Sequence, residues 1–559
     1  MASNSQVLDK GTAHLGGATN PFSSWTVCIA VIFILGFAAF VRLRLIDLPL
    51  ERDEGEYAYS GQLLLQGIPP YKLAYNMKLP GTYVAYAAIM AAFGQTDRGI
   101  HLGLILINGA TILLIYFLGR RLFGTICGLV SAAVYAIYSL SYSVLGTAAH
   151  ATHFVTLFGL GGALVLHGTL EKKRALLIFW SGILFGLAFL MKQQAVFFGV
   201  FGAIVLLWHE WHRRPQERRV FLRCASLFAG MVVPFAVACA ALAVAGVFPR
   251  FWFWTFSYAS QYATITPLEV GWEYLCARLC SIFLAAPIIW IVAVFGLVLL
   301  LRRIRKQHNA FFTIALLATT FATACPGLYF RAHYFIPLLA ALGLLAGAAI
   351  QLMADEIYRR QWNRNWLLIP LALFLAASTD AAVRHRALLF QLSPDAIARA
   401  IYPNNPFPEA RAVGRYIRDH STPDSRIAVL GSEPEIYFYS HRRSATGYIY
   451  MYALMEPQPY ALTMQREMIA EIESTAPDLV VLVGVYTSWL GRKESHLLVS
   501  EWLESYPRNH SEQIGFADIL PDSGTVYHFG DREGRESQPK SRSFITIFKR
   551  TTNPSSLSQ

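Results

Sequence analysis

Charge is what this chain of 559 residues has least of. Only 15% of it is Asp, Glu, Lys or Arg, while 55% is hydrophobic. A soluble domain carries about 25% charged residues, so a soluble fold is excluded. Cysteine is scarce as well: seven in all, the last at Cys325, with no CxxC pair. That excludes a disulfide framework, and the cysteines read as buried apolar residues. Cys276 and Cys280 share a helix face but have no His or carboxylate neighbour to complete a metal site. G-x-S-x-G, H-E-x-x-H and the P-loop are all missing, which leaves hydrolase, metalloprotease and ATPase classes without support. The net charge of +12 does not indicate nucleic acid, because the basic residues fall between apolar runs, where membrane topology accounts for them.

What is present is a series of apolar runs of about 17–25 residues, the length that crosses a bilayer. Eleven spans are expected, near 25–46, 99–118, 125–145, 151–169, 175–191, 195–209, 222–245, 274–301, 310–327, 334–353 and 365–380. Basic connections alternate with sparsely charged ones. Arg120-Arg121, Lys172-Lys173-Arg174, Arg213-Arg214 with Arg218-Arg219, Arg302 to Lys306, and Arg359-Arg360 with Arg364 occupy every second connection. By the positive-inside rule these are cytoplasmic, which places the N-terminus in the cytoplasm and residues 381–559 on the outer face of a plasma or inner membrane. The first run has no small-x-small cleavage site and is read as a retained anchor. Residues 80–94 would break the alternation if they crossed, so they are expected as a helix lying at the outer interface. Arg42 and Arg44 run against the rule and are expected to snorkel or to hold a lipid phosphate.

The domains that follow are a cytoplasmic disordered tail (1–24), a transmembrane domain (25–380) with a first outer loop at 47–98, an outer domain (381–550) and a second disordered tail (551–559). In the outer domain, Arg426 to Leu430 and Leu479 to Val483 read as buried parallel strands. Helical spacing over 408–420 and 459–474 separates them, and later strands are expected at 525–529 and 543–548. The alternation predicts a small α/β domain. Gly431-Ser432-Glu433 is only a strand-to-helix turn.

Candidate chemistry concentrates in the outer connections. Leu50-Glu51-Arg52-Asp53-Glu54-Gly55-Glu56-Tyr57 is an acidic turn just beyond the first span, leading into an amphipathic helix from Glu56 to Gln66. A carboxylate there can take a proton from an acceptor hydroxyl or amine as a general base. Lys78 follows before the interfacial helix, and Lys192 sits in a tight outer turn against the charge bias. Arg331 and His333 lie on the same face. Together these four suit one or two phosphates opposite Asp53. His150 and His153, at i and i+3, share a helix face at the acceptor side; a metal there would lack an identifiable third ligand. The aromatic run from Val247 to Trp254 is an interfacial belt or the wall of a groove for an isoprenoid chain.

The order of these pieces resembles a known family. An outer Asp53-Glu54 turn, Pro70-Tyr71, Lys78-Leu79-Pro80-Gly81, Phe93-Gly94, Gly119 to Gly124, Gly186 to Lys192 and His333-Tyr334-Phe335-x-Pro337 are arranged as in the GT-C membrane glycosyltransferases of family 39. That group includes protein O-mannosyltransferases, lipid A aminoarabinose transferases and relatives grouped with lipopolysaccharide-core galacturonosyltransferases. The resemblance covers about residues 25–355. It implies an α-helical polytopic GT-C fold and transfer of a sugar from a polyprenyl-phosphate donor to a lipid, protein or glycan acceptor outside the cytoplasm. It implies a catalytic Asp53 with Glu54 beside it, and a donor-phosphate site at Tyr57, Lys78, Lys192, Arg331, His333 and Tyr334. No nucleotide is needed on the outer face, and no cofactor is assigned. A divalent metal is disfavoured because Met77 stands where aminoarabinose transferases carry a carboxylate, and 125–170 holds no acidic residue. Two rivals remain: a flippase for lipid-linked saccharide, which needs mid-membrane ionisable residues, and a non-catalytic receptor, whose outer domain would have its own pocket.

Overall fold

A computed structural model describes residues 23–170, 175–212, 219–305, 307–520 and 524–551. The two terminal tails lie outside these except at 23–24 and 551, as do Lys172, Lys173, Arg174, Arg213, Arg214, Arg218 and Lys306. Each apolar run folds as a helix, the conformation that satisfies its own backbone groups in lipid. The order is α1 (Ser24–Arg44), α2 (Arg52–Leu65), α3 (Gly81–Phe93), α4 (Asp97–Leu122), α5 (Thr125–Tyr138), α6 (Ala151–Thr169), α7 (Ala175–Met191), α8 (Val196–Trp211) and α9 (Val220–Val244). Then come the short α10 (Phe248–Trp252) and α11 (Ala259–Thr264), followed by α12 (Leu268–Ala285), α13 (Pro287–Leu301), α14 (His308–Ala322), α15 (Ile336–Arg359) and α16 (Leu368–Arg384).

Among the described residues, seven helical segments are long and apolar enough to cross a membrane, or eight if the bent pair α12–α13 counts as one. The chain is a multi-pass membrane protein, but eleven full-length spans are not reached. α5, α7 and α14 are shorter, with 14, 17 and 15 residues, because their apolar runs end in the turns that build the site. The expected single span at 274–301 is broken by 105°. Pro287 at the start of α13 lacks an N–H and forces Ala286 out of helical geometry (φ −155°, ψ 64°). The cysteine expectation also fails: Cys28, Cys276 and Cys280 are exposed, on helices whose outer faces are apolar.

The helices have two distinct ends. At one, Asn309 Nδ2 donates to Leu122 O (2.7 Å), His167 meets Asn309 Oδ1 (3.0 Å) and the His212 and His308 rings lie 5.5 Å apart. This is the end of the basic connections. Asp53, Lys78, His150, Lys192 and His333 gather at the other. Arg42 and Arg44 hold protein rather than lipid. Arg42 is buried and donates to Ser139 O and Gly146 O, while Arg44 donates to Leu388 O and Leu392 O. Both therefore pin loops at that end, which explains their departure from the charge rule.

Beyond α16 come α17 (Pro394–Ile401) and α18 (Phe407–Asp419), then β1 (Arg426–Leu430), α19 (Glu435–Ser440), β2 (Arg443–Ser444), α20 (Tyr452–Met455), α21 (Ala461–Thr475) and β3 (Leu479–Gly484). β4 (Ser511–Leu520), β5 (Gly524–Phe529) and β6 (Phe544–Arg550) complete the sheet, whose strand order is β2-β1-β3-β6-β4-β5. β1 pairs in parallel with β2 and β3, and β6 runs antiparallel to β3 and β4. The buried strands β1 and β3 are those the apolar runs mark. β4 escapes the pattern because it mixes Ser511, Glu512 and Gln513 with apolar residues and is bulged between Gln513 and Gly515.

This domain is clamped onto the connection between α1 and α4. Tyr59 of α2 stacks on Tyr437 of α19 (5.0 Å) and its hydroxyl accepts from Ser444 N–H (2.7 Å). Tyr75 N–H donates to Gly447 O (2.7 Å). Gly55 has no side chain because none fits: a Cβ there would lie 2.6 Å from Glu435 Cβ and 2.7 Å from its backbone nitrogen.

Candidate active site

The acidic stretch is not a loop. It is the first turn of α2, which begins at Arg52 rather than near Glu56. Glu51 caps the helix: its carboxylate accepts from Glu54 N–H (2.9 Å), and Glu54 reaches back to Glu51 N–H (3.2 Å), a reciprocal box that satisfies two otherwise orphaned donors. Helical geometry then sends the neighbouring charges in different directions. Arg52 turns to the C-terminal domain, donating to Ser432 O and pairing with buried Glu433 at 2.8 Å. The turn at 431–433 is thus a docking element. Glu54 turns into the helices, where it accepts from Ala149 N–H (2.6 Å) and faces His101 (3.3 Å). Glu54 does not line the cavity described below, and its role is to hold the loop before α6.

Asp53 and Glu56, three residues apart, share a face and one counterion. Lys78 Nζ lies 2.7 Å from Asp53 Oδ1 and 2.5 Å from Glu56 Oε2, above the Tyr57 ring at 4.5 Å. Tyr83 also donates to Glu56 (2.6 Å). The Tyr450 hydroxyl donates to Arg52 O (2.9 Å) and lies 3.3 Å from Asp53 Oδ1. Burial works to raise the Asp53 carboxyl, but the charge of Lys78 and its hydrogen bond to the carboxylate outweigh it and hold the group well below its ordinary range. Burial, with Asp53 and Glu54 beside it, pushes Glu51 well up instead. Asp53 is therefore the firmly ionised carboxylate of this wall.

Asp53 opens onto a cavity of about 1090 Å³. Lys192 lies across it, its Nζ 3.6 Å from the centre of the Tyr334 ring. Burial, against the pull of Asp53, brings Lys192 down to about 7, with Lys78 and Arg331 adding to the depression. Gln193 ties this turn to the first loop by donating to Met77 O (2.5 Å). Arg331 is solvent-exposed, but the space it meets is this cavity, which it lines with Tyr329 and Tyr334. The aromatic run contributes Trp254 to the wall, Phe256 just beyond it adds a second ring, and Phe251 is buried.

The structure brings together Asp53, Tyr57, Lys78, His150, Lys192, Arg331, His333 and Tyr334 around this one space. His153 is absent from it: it is buried, with Nε2 3.1 Å from Gly146 O. His150 is paired not with His153 but with His333, ring on ring at 4.1 Å. Burial pulls His150 down to about 4, against the attraction of Asp53 and Glu54, so it stands neutral. Asp53, His150 and His333 offer ligand atoms within 4.8 Å of one another, and both nitrogens of His150 lack a hydrogen-bond partner. A carboxylate with two imidazoles is a divalent-metal donor set, and these three residues are the ones that would hold such an ion. Lys78 already supplies positive charge to the same carboxylate.

Sequence inspection missed Tyr402, Phe407, Tyr450 and Tyr452, which the C-terminal domain adds to the cavity wall, and Arg278 of α12. Glu56 was passed over as well, although its i, i+3 spacing to Asp53 was a signal that could have found it. The tyrosines carried no local signal, because they reach the site only through docking of the domain.

Comparison with solved structures identifies the architecture. ArnT from Cupriavidus metallidurans, bound to undecaprenyl phosphate, superposes with a TM-score of 0.59 over 95% of this chain and 99% of its own, at 14% identity. The fold is GT-C. The GT-C oligosaccharyltransferase of Archaeoglobus fulgidus matches with a TM-score of 0.54, 12% identity, and coverage of 93% of this chain and 76% of that one. Residues 79–238 match the family described as dolichyl-phosphate-mannose-protein mannosyltransferase, a stretch that carries Lys78's neighbouring helix, the two histidines and Lys192. No curated protein sequence matches.

Proposed function

We propose that this chain is a membrane glycosyltransferase that moves a sugar from a polyprenyl-phosphate donor to an acceptor hydroxyl or amine. One observation carries the proposal: an ionised carboxylate, Asp53, and two cations that form no ion pair among the described residues, Lys192 and Arg331, line one cavity. This is what a displacement at the anomeric carbon requires. The acceptor O–H or N–H donates to Asp53. As its lone pair bonds to the anomeric carbon, the carbon–oxygen bond to phosphate breaks on the opposite side, inverting that carbon. The proton passes to Asp53, and the departing phosphate is met by Lys192 and Arg331, charge placed where charge develops. The low proton affinity of Asp53 suits a nucleophile that becomes acidic only as the new bond forms. Tyr334 holds Lys192 by its ring face, and Trp254 and Phe256 offer an apolar wall to the lipid chain.

Lys78 is assigned here as the partner of Asp53 rather than as a phosphate ligand, and Glu54 and His153 as positioning residues. The site end, with the C-terminal domain, is assigned to the outer face, which the sparse charge of its connections supports. ArnT bound to undecaprenyl phosphate and the A. fulgidus oligosaccharyltransferase with dolichol-phosphate support the donor class. Lipid A, protein and envelope glycan remain the acceptor classes, and no step passes through a metal. A receptor with a self-contained outer pocket is disfavoured because the cavity is shared between the two domains.

The test is sugar transfer in membranes from a polyprenyl-phosphate donor, with Asp53→Asn as the variant. General-base loss predicts a fall of about 10²–10⁴-fold with insertion and donor binding intact. Full activity in a folded Asp53→Asn protein would remove the proposed base.

A further inference from the structure

Cations in the cavity fall into two sets once their partners are counted. Lys78 is matched by two carboxylates, and Arg52 by Glu433. Lys192, Arg331, Arg278 and Arg492 line the same cavity, and among the described residues none of them forms an ion pair; Arg492 lies by charge near Glu456, and the other three concern the site. They lie in sequence across it. The charge of Lys192 interacts with Asp53 and with Arg331. Arg331 interacts with Asp53 as well, while the charged neighbour of Arg278 is Arg331 alone. Arg278 Nε also donates to Phe330 O (3.4 Å), the carbonyl just before Arg331.

Arg278 belongs to α12, the helix that breaks from α13 by 105°. Tyr274, Ala277 and Arg278, spaced i, i+3, i+4, all line the cavity, so one face of α12 looks into the site. Its other side exposes Leu268, Trp272 and Phe283, an apolar surface that continues the lipid-facing exterior. Arg278 thus reaches the cavity from a helix whose opposite face is apolar and exposed, and Asp53 is not among the charges acting on it. The carboxylates whose charge reaches Arg331 are Asp53 and Glu456, and neither pairs with Arg278, whose charge is opposed by that of Arg331; a phosphate shared by the two guanidinium groups relieves that repulsion, the planar fork of each matching phosphate oxygens.

We propose that Arg278 and Arg331 form a second anion subsite, which takes a lipid-borne phosphate distinct from the one bonded to the transferred sugar. The proposal rests on the donor assignment above. A phosphate leaving from a sugar near Asp53 falls to Lys192 and Arg331, and the next phosphate outward reaches Arg278. Its source is either the distal phosphate of a polyprenyl diphosphate donor or the headgroup of a second, anionic lipid.

The experiment measures binding to the full-length protein in detergent of a polyprenyl monophosphate, the corresponding polyprenyl diphosphate and phosphatidylglycerol. Wild type, Arg278→Gln, Arg278→Lys and Lys192→Gln are compared, each first checked for monodispersity. A charge-assisted hydrogen bond is worth about 1.5–3 kcal/mol, so Arg278→Gln is expected to weaken one of the two latter ligands by about tenfold or more while monophosphate affinity holds within about twofold. Selective loss of the diphosphate assigns the donor's distal phosphate, and selective loss of phosphatidylglycerol assigns a second lipid. Arg278→Lys should recover part of the loss. Equal weakening of all three ligands would merge Arg278 into a single phosphate site, and no change in any would remove it from recognition; either result overturns the proposal. Lys192→Gln reports separately on the underlying donor assignment, since it should weaken the monophosphate whatever Arg278 does.

Discussion

Lys78 separates two mechanisms, and its replacement by methionine distinguishes them. Sequence position makes it a phosphate ligand, whereas the structure makes it the shared counterion of Asp53 and Glu56, at 2.7 and 2.5 Å. Glu56 is fully enclosed, and Lys78 and Asp53 are 22% and 25% exposed. Removing one partner of such a pair costs about 3–5 kcal/mol, because the other charge is stranded. Here two carboxylates are stranded together, and one of them takes a proton. Glu56 is the one, since burial and the nearby Asp53 already raise it against the pull of Lys78. Asp53 then remains as the base but loses the charge that holds its carboxyl low, and burial moves its pKa upward. The sign for activity follows. Wild type keeps Asp53 ionised across the working range and shows no acid limb from it. Lys78→Met develops one above the ordinary Asp value of about 3.9, together with lower thermal stability, while Lys78→Arg retains the charge and the wild-type profile. The assay is the pH dependence of transfer at saturating donor, paired with thermal denaturation in detergent. If Lys78→Met keeps the wild-type pH profile and stability and only raises the donor KM, Lys78 binds phosphate and the counterion assignment is wrong.

Three further outcomes are expected. Gly55→Ala places a Cβ 2.6 Å from Glu435 Cβ and against its backbone; an overpacking cost of about 1–3 kcal/mol should loosen α2 from α19, visible as faster proteolysis of the C-terminal domain. Gly36→Ala, which meets nothing within 4 Å, is the neutral control. Lys192, brought by burial to about 7, loses its charge as pH rises through that value, so polyprenyl-phosphate affinity should fall from pH 6 to pH 8. A bound phosphate moves the fall to higher pH by favouring the charged amine, and Lys192→Arg should flatten it. Parallel profiles for the two proteins would show that Lys192 does not govern donor binding. Chelation should leave transfer unchanged because Lys78 already charges Asp53; loss of activity restored by manganese or zinc would put a cation on Asp53, His150 and His333.

Composition and periodicity by themselves determined that the chain is a multi-pass helical membrane protein, that its basic connections share one end, and that β1 and β3 are buried parallel strands. These follow from local quantities: apolar run length, charge bias and strand pattern. The order of short motifs also pointed to the GT-C fold. The tertiary structure decided the rest. It broke the 274–301 run at Pro287, turned the acidic loop into a capped helix, and split four adjacent charges between three neighbourhoods. It also replaced the expected His150–His153 pair with His150 and His333, residues far apart in the chain that stack at 4.1 Å. Lys78 shows the reason most plainly. Its residue type and its place before α3 were visible in the sequence, but its partners were not. Whether a cation is free for a ligand depends on which carboxylates fold against it, and only docking of the first loop between the helices and the C-terminal domain fixes that.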